Sequence, residues 1–244
     1  MKKIAIIPAR YASSRFPGKP LALLHGKPMV WHVYEKAMEA IGEACVATDD
    51  VRIAREVENR GGLAVMTSAE HRSGTDRIAE ALALLPGCYD VVVNVQGDEP
   101  LIHPGQITAV CEPFADPAVQ IATLGKPFTS MEEIENPNSP KIVTTADGFA
   151  MYFSRSAIPY VRGAERREWP SKASFLKHIG LYAYRPGTLA EITALPQSPL
   201  EKAESLEQLR WLENGYRVKV VITDRETVGI DTPADLERAE RLFT

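Results

Sequence analysis

The chain has 244 residues, 45% hydrophobic and 25% charged, a composition typical of a globular protein with one large core. Its formal net charge of −4 argues against a general binder of nucleic acids or anionic membranes, since such binding needs a basic surplus. Three scattered cysteines, a first apolar stretch too short for a signal peptide and no apolar run of membrane-spanning length predict a soluble, cytoplasmic protein without disulfides.

Short β-type runs alternate with helical patterns through the first half of the chain. The β-type runs cover residues 3–7, 44–48, 63–66 and 90–95. Helical patterns cover residues 28–40, 75–85 and 104–114, and a further one runs through Val57 after a cap at Asp49 or Asp50. Strands that alternate with helices of this length predict an α/β fold with a parallel sheet and right-handed crossovers.

The pattern changes from Gln120 onward, where β-rich stretches are separated by turns such as Asp147-Gly148. We interpret residues from about 120 to 185 as an inserted antiparallel or mixed lobe within a single domain that spans residues 1–244. A helical pattern returns in residues 201–215. It is followed by a strand at residues 217–222 and a last helix from Thr232 or Pro233.

The loop after the first strand carries charge where a ligand is expected. In an open α/β sheet, ligands bind beyond the carboxyl ends of the strands. Arg10, Arg15 and Lys19 lie here among small residues such as Ser13 and Gly18, which let backbone N–H groups approach phosphate oxygens. The loop therefore favours a triphosphate cradle over a solvated basic loop. It has neither the GxGxxG nor the GxxxxGK[ST] pattern.

The stretch VVVNVQGDEPLI ends an apolar strand with oxygen-bearing side chains. It delivers Gln96, Asp98 and Glu99 to the same edge, and Gly97 between them allows close backbone approach. Mg²⁺ is usually held by one or two carboxylates plus substrate phosphates, so we predict Asp98 as a metal ligand. Asp231 is the candidate second carboxylate, although its segment fits a simple helix N-cap equally well.

Several stretches together resemble one enzyme family, in order and over nearly the whole chain. They are IPARYASSRFPGKPL, MTSAEHRSGTDRIAE, NVQGDEPLI, NPNSPKIV, YFSRSAIP, KHIGLYAYR, SPLEKAESLEQLRWLENG and GIDTPADLERA. This set resembles the 3-deoxy-manno-octulosonate cytidylyltransferases, or CMP-Kdo synthetases. The first motif alone would indicate only a sugar nucleotidyltransferase. The resemblance implies a Rossmann-like α/β nucleotidyltransferase fold of the nucleotide-diphospho-sugar transferase type, with a mostly parallel sheet and an inserted β-rich sugar lobe that helps to form a homodimer.

The resemblance also implies a reaction. CTP and 3-deoxy-D-manno-octulosonate (Kdo) would give CMP-Kdo and pyrophosphate, with Mg²⁺ as the cofactor, for lipopolysaccharide synthesis. The sugar hydroxyl would attack the α-phosphorus in line with the departing pyrophosphate, so negative charge grows on the leaving group. Because Mg²⁺ can lower the pKa of that hydroxyl, we name no general base.

The family's roles fall on matching positions of this sequence. The catalytic residues would be Arg10, Lys19, Asp98 and Asp231, the two aspartates holding Mg²⁺. The nucleotide would be bound by Arg10, Ser13, Arg15, Lys19, Ser73, Arg77 and Gln96. The sugar acid would be bound by Arg155, His178, Tyr182, Glu207 and Gln208.

Several of these residues also have structural interpretations. Arg155 suits the carboxylate of the sugar acid, but an internal salt bridge fits the arginine equally well. A lone histidine such as His178 is more often packed or exposed than functional. Glu207 and Gln208 lie in an amphipathic helical pattern, so solvated surface is the alternative for both residues.

Other functions stay open at this stage. A sialic acid cytidylyltransferase would show a different arginine pattern in the sugar lobe, and a relative that activates 8-amino-Kdo has similar motifs. A catalytically idle nucleotide-binding homologue would be expected to lose Lys19 or a metal carboxylate, and this chain has all three. A dinucleotide-dependent dehydrogenase would need the missing glycine fingerprint. The chain departs from the family around Ser139-Pro140 and in residues 163–175.

Overall fold

A computed structural model describes residues 1–12 and 15–242 of the chain. The strands are β1 (Lys3–Ala9), β2 (Leu23–Leu24), β3 (Lys27–Pro28), β4 (Ala44–Thr48), β5 (Ala64–Met66), β6 (Val91–Asn94), β7 (Ile121–Pro127), β8 (Lys141–Thr144), β9 (Ala150–Ser154), β10 (Leu176–Tyr184) and β11 (Val218–Ile222).

The helices alternate with the strands through the first half of the chain, as the sequence predicts. They are α1 (Met29–Ile41), α2 (Val51–Asn59), α3 (Gly74–Leu84), α4 (Pro104–Ala109), α5 (Met131–Glu135), α6 (Trp169–Lys172), α7 (Pro186–Thr193), α8 (Pro199–Glu204), α9 (Gln208–Glu213) and α10 (Pro233–Leu242). Of these, α5, α6 and α7 lie outside the predicted helical patterns. Short 3₁₀ helices cover Lys19–Leu21, Glu112–Ala115 and Arg166–Glu168.

The central sheet has the strand order β11-β7-β10-β6-β1-β4-β5. Strand β1 pairs in parallel with both β4 and β6, and β4 pairs in parallel with β5. Strand β10 is antiparallel to its neighbours β6 and β7, whereas β11 is parallel to β7. The sheet is thus mostly parallel with one reversed strand, which confirms the predicted α/β class.

Both faces of the sheet are covered by helices. Since β1 sends alternate side chains to opposite faces, it contributes to a hydrophobic cluster on each side. Ala5 and Ile7 pack in a cluster with Val30 of α1 and Ile107 of α4. Ile4 and Ile6 pack in a second cluster with residues of α3, α7 and α9. Burial on both faces explains why the central strands read as continuous apolar runs rather than as alternating ones.

Two predicted helices differ from those observed. The helix predicted over residues 104–114 ends at Ala109 and is followed by a 3₁₀ turn that contains Pro113. The single helix predicted over residues 201–215 is wrong, because α8 and α9 are separated at Ser205, which has a left-handed φ of 51°. The break directs the carbonyl oxygen of Glu204 toward Arg155 Nε at 2.6 Å. This contact to a distant arginine cannot be read from helical periodicity.

The middle of the chain contributes to the central sheet and also extends beyond it. Strands β7 and β10 lie within the sheet, and β8 pairs with β10 and β9 to form an antiparallel extension. A small cluster beside this extension contains Ile134, Trp169 and Phe175. The exact limits of the inserted lobe, and its role, stay a prediction.

Among residues 1–12 and 15–242, no helix is both long enough and apolar enough to cross a lipid bilayer.

Candidate active site

A cleft of about 260 Å³ opens beyond the carboxyl ends of β1 and β6. Its position is the one expected for ligand sites in open α/β sheets, which lie beyond the carboxyl ends of the strands. Residues from four separate parts of the chain line it. The sequence-predicted residues among them are Arg10, Arg15, Lys19, Ser73, Arg77, Gln96, Asp98 and Asp231. The fold therefore brings together eight of the candidates for binding nucleotide and metal. Ser13 lies outside the described residues.

Lys19 stands between the two carboxylates at the centre of this cleft. Its Nζ atom lies 2.7 Å from Oδ2 of Asp98 and 3.2 Å from Oδ1 of Asp231. The lysine side chain is only 14% exposed, whereas those of Asp98 and Asp231 are 35% and 46% exposed. Arg15 NH2 also contacts Asp231 Oδ1 at 3.1 Å. Two cations and two carboxylates thus meet at one point.

The backbone geometry around Gly97 brings these groups together. A Cβ atom on Gly97 would lie 2.9 Å from the carbonyl oxygen of Pro8, so only glycine lets this turn approach the end of β1. The next residue, Asp98, accepts a backbone hydrogen bond at 2.8 Å from the N–H of Ile230. That bond brings the segment before α10, and with it Asp231, across to Asp98.

Asp231 is not the helix cap. The cap residues are Thr232 and Asp235, since the Thr232 hydroxyl accepts from the Asp235 N–H at 3.2 Å. Asp235 in turn accepts from the backbone N–H groups of Asp231 and Thr232 at 3.1 and 2.9 Å. The Asp231 carboxylate is left to face Lys19 and Arg15. The capping interpretation of Asp231 is therefore wrong.

The donor set fits a hard cation that also binds a substrate. The described residues contain no cluster of three or more metal-type side chains. Two carboxylates that share one ammonium are nevertheless the arrangement expected for Mg²⁺ completed by phosphate oxygens and water. Glu99 is the adjacent carboxyl group. Burial, together with the charge of Asp98, raises the pKa of Glu99 to about 8.

The start of α3 forms one wall of the cleft. Ser73 caps this helix by accepting from the Asp76 N–H at 3.1 Å. Arg77, predicted to contact the nucleotide, is 4% exposed, and its guanidinium donates to Thr67 Oγ1 at 2.6 Å and Asp49 Oδ2 at 3.2 Å. Arg77 thus lines the cleft while tying α3 to the ends of β4 and β5.

The predicted sugar residues lie beside this cleft. Tyr182 of β10 pairs with Asn94 of β6, whose side chain accepts from Gln96 Nε2 at 3.1 Å. Glu207 accepts from the hydroxyl of Thr75, on the α3 wall, at 2.6 Å. Burial raises the pKa of the Glu207 carboxyl, although the Thr75 hydrogen bond opposes the shift. Both contacts connect the residues predicted to bind the sugar acid, which we call the sugar side, to the walls of the cleft.

The sugar side is notable for unmet polar atoms. Within the described part of the chain, the Tyr182 and Tyr184 hydroxyls and Gln208 Nε2 are buried without a hydrogen bond of good geometry. His178 Nε2 lies 3.2 Å from Thr123 Oγ1, and its ring packs against Tyr182 with centroids 5.3 Å apart. Burial lowers the pKa of His178 to about 3, so the imidazole is neutral at pH 7.

Arg155 is placed differently. Its guanidinium donates to the carbonyl oxygens of Pro137, Glu204 and Ser205 at 2.9, 2.6 and 3.3 Å. These contacts give Arg155 a structural role, but through carbonyl oxygens rather than through the internal salt bridge considered as the alternative. Its role in binding the sugar acid stays a prediction.

Two residues that line the cleft, Arg72 and His71, are absent from the set predicted from the sequence. Arg72 lines the cleft and also a second cavity of about 600 Å³ that shares Ser73 with it. His71 lines the cleft and contacts the Glu80 carboxylate through Nε2. The signal was present in the AEHRSGTDR stretch, where both residues directly precede the Ser73 cap.

The chain is similar to known proteins over nearly its whole length. The model of the cytidylyltransferase family matches residues 4–222. A 3-deoxy-manno-octulosonate cytidylyltransferase of Parabacteroides distasonis is 60% identical over 243 residues, covering 98% of this chain and 97% of the relative. Another, from Bacteroides thetaiotaomicron, is 58% identical over 246 residues, covering 100% of this chain and 98% of the relative.

A solved structure is similar over the same extent. It is a CMP:2-keto-3-deoxy-manno-octonic acid synthetase complexed with CTP, 43% identical, with a TM-score of 0.92. The match covers 100% of this chain and 98% of that one. With a family model that spans most of the residues and relatives that match end to end, the chain belongs to the cytidylyltransferase family, and within it to the 3-deoxy-manno-octulosonate cytidylyltransferases.

Proposed function

We propose that the protein transfers CMP from CTP to Kdo and releases pyrophosphate, as a step in lipopolysaccharide synthesis. The observation that carries the proposal is the meeting of Lys19, Asp98 and Asp231 in one cleft beyond β1 and β6. That arrangement suits a polyanionic nucleotide with a metal ion. The full-length similarity to enzymes named for this reaction supplies the identity of the two substrates.

The cations of the cleft would bind the triphosphate. Arg10 and Arg15 are exposed at its rim, whereas Lys19 is nearly buried at its centre. In phosphoryl transfer, catalysis is mainly positioning and stabilisation of charge on the leaving group and the phosphoryl oxygens. We assign Lys19 to that charge and the two arginines to holding the phosphates. Ser73, Arg77 and Gln96 would contact the nucleoside from the opposite wall.

Asp98 and Asp231 would hold the metal ion, which we propose is Mg²⁺. When bound, such an ion neutralises phosphate charge and lowers the pKa of a hydroxyl that it contacts. The Lys19 ammonium, which now bridges the two carboxylates, would then turn toward phosphate oxygens. Because Asp98 and Asp231 are partly exposed, this exchange needs no opening of the core.

The sugar acid would lie against β10 and the start of α9. Tyr182 and Gln208 present buried polar atoms that lack partners within the described residues, and hydroxyl groups of a sugar could pair with them. Neutral His178 and the Glu207 carboxyl would complete the contacts. Arg155 is a weaker candidate, because three of its guanidinium N–H groups already donate to carbonyl oxygens.

We further propose that the enzyme is a cytoplasmic homodimer. The scattered cysteines, which are free within the described residues, suit a reducing compartment. The β8–β9 extension, with Met151 61% exposed and nearby Tyr160 75% exposed, offers an apolar surface for a second copy of the chain.

Pyrophosphate release by the purified protein with Mg²⁺ tests the function. Each nucleoside triphosphate is offered with Kdo, 8-amino-Kdo or sialic acid. Release that is confined to CTP with Kdo is the expected result. Release with a different sugar acid would reassign the substrate, and the absence of release with every pair, despite CTP binding, would favour the idle homologue.

A further inference from the structure

Two lysines hold one glutamate in the segment that leads to Asp231. Glu226 Oε1 lies 2.6 Å from Lys177 Nζ, and its Oε2 lies 3.1 Å from Lys126 Nζ. The lysine side chains are only 26% and 17% exposed, and that of Glu226 is 41% exposed. We refer to Lys126, Lys177 and Glu226 as the glutamate clamp. It lies outside the two cavities of the site.

The clamp is required by the register of the sheet. Lys126 of β7 stands directly opposite Lys177 of β10 in the antiparallel pair. Like charges in such a position repel each other, so the strands need an anion between them. Burial raises the pKa of Glu226, but the two ammonium groups outweigh it and leave the pKa below its ordinary value. Glu226 is therefore held as a carboxylate between the lysines.

The clamped residue belongs to an irregular segment. Residues 223–232, between β11 and α10, form neither helix nor strand. The backbone N–H of Thr223 donates to Gly125 O at 2.9 Å at the start of the segment, and that of Ile230 donates to Asp98 O at 2.8 Å near its end. Glu226 lies between these two ties. Without the clamp, the middle of the segment would lose its charged attachment to the sheet.

We propose that Glu226 is a positioning residue for Asp231. By fixing the segment on β7 and β10, the clamp holds the Asp231 carboxylate where it can share one cation with Asp98. The inference rests on the proposed metal-binding role of Asp98 and Asp231, but not on which sugar is the acceptor.

Binding of Mn²⁺ in the presence of CTP and the absence of sugar tests the proposal directly. Glu226→Gln keeps the size of the side chain and removes its charge. If the Asp231 carboxylate is then correctly placed only part of the time, the apparent affinity for the metal falls by that fraction. We expect the half-saturating Mn²⁺ concentration to rise about 5-fold. Hydrogen exchange in residues 223–232 should rise in parallel.

A matched control removes a different ion pair from the other end of β11. Arg217 NH2 lies 2.9 Å from Asp147 Oδ2, with both side chains 62% exposed. Asp147→Asn should leave metal affinity and exchange in residues 223–232 unchanged. Lys126→Gln, which removes one of the two clamp contacts, should give a smaller rise than Glu226→Gln. The lysine variant also carries the test if the glutamate variant does not fold.

The outcomes separate this proposal from the proposed function. An unchanged Mn²⁺ affinity in a folded clamp variant would overturn the positioning role. Wild-type binding of Mn²⁺ with CTP, but no turnover with any sugar acid, would overturn the proposed function and leave the positioning role intact. A rise confined to clamp variants, with turnover at saturating metal within about 3-fold of wild type, would support Glu226 as a positioning residue.

Discussion

The two halves of the candidate site differ in how their polar groups are presented. In the cleft around Lys19, several charged side chains remain partly in water: those of Arg15 and Asp231 are 64% and 46% exposed, although that of Lys19 is only 14% exposed. On the sugar side, the groups are carried by β10 and α9 and are mostly buried, with Tyr182 7% and Gln208 5% exposed. The proposed phosphate and metal site therefore presents partly solvated charges, whereas the proposed sugar site presents mostly buried polar groups.

The energetic terms of the two halves differ accordingly. An exposed ion pair such as Arg15–Asp231 contributes about 0–1 kcal/mol, so a phosphate group can replace it at little cost. A buried polar atom without a partner costs about 1–3 kcal/mol, and within the described residues Gln208 Nε2 is such an atom. A ligand hydroxyl that pairs with it would recover this free energy.

The largest expected effect is on the metal side. Asp98→Asn keeps the shape of the side chain but removes a charge that the metal and Lys19 both require. We expect kcat to fall by about 10³-fold, because electrostatic groups at a transferring phosphoryl group contribute on this scale. Steady-state kinetics at saturating CTP and Kdo measure the effect.

Folding should survive the same change, because Asp98 is partly exposed. The thermal unfolding midpoint of Asp98→Asn should stay close to that of wild type, with Asp147→Asn as the surface control. A loss in kcat of less than 10-fold would contradict the assignment of Asp98 to the metal.

An intermediate effect is expected at Arg155, where a structural role can be distinguished from a role in binding the sugar acid. Arg155→Met leaves the carbonyls of Pro137, Glu204 and Ser205 without their donor. Charge-assisted hydrogen bonds of this kind support a loss of about 2–4 kcal/mol in the free energy of unfolding. Denaturant unfolding measures that loss.

The kinetics of the same variant decide its role. If Arg155 is structural, the KM for Kdo of the folded fraction should change by less than about 3-fold. A large rise in this KM with unchanged stability would instead return Arg155 to the sugar carboxylate. Arg162, in the adjacent loop, provides a control arginine whose replacement should affect neither quantity.

The smallest effect concerns pH and the sugar side. The pKa of His178 is about 3 in the folded protein and about 6.5 in an unfolded chain. Between these values the unfolded state binds the extra proton, so His178 makes stability fall as pH drops below about 6.5. His178→Gln should remove this contribution, which is at most about 1.4 kcal/mol per pH unit.

Chemical unfolding between pH 5 and pH 8 checks this expectation. The difference in free energy of unfolding between wild type and His178→Gln should be constant above pH 7.5 and should shift in favour of the variant at acid pH. Replacement of exposed His25 controls for the loss of a histidine. A difference that does not change with pH would show that His178 is solvated in the folded state.

The sequence indicated which residues gather in the cleft better than it indicated the contacts of the residues proposed to bind the sugar, for a physical reason. Lys19, Asp98 and Asp231 follow strand ends or precede a helix, and charge at those positions has few structural uses, so residue type and place point to function. Arg155 and Arg77 are equally charged, yet their roles depend on carbonyl and hydroxyl partners distant in the chain. The same limitation applies to Ser205, whose left-handed conformation follows from tertiary contacts rather than helical periodicity.

The reversed strand in the middle of the sheet bears on how the chain folds during synthesis. Strands β6 and β7 are consecutive along the chain, yet β10 lies between them, so their facing edges cannot be closed until residue 184 has been made. Until then, both strands present unpaired backbone groups of the kind that recruit other strands. A nascent or truncated chain that ends before β10 is consequently a template for aggregation, whereas the complete chain conceals both edges with one strand.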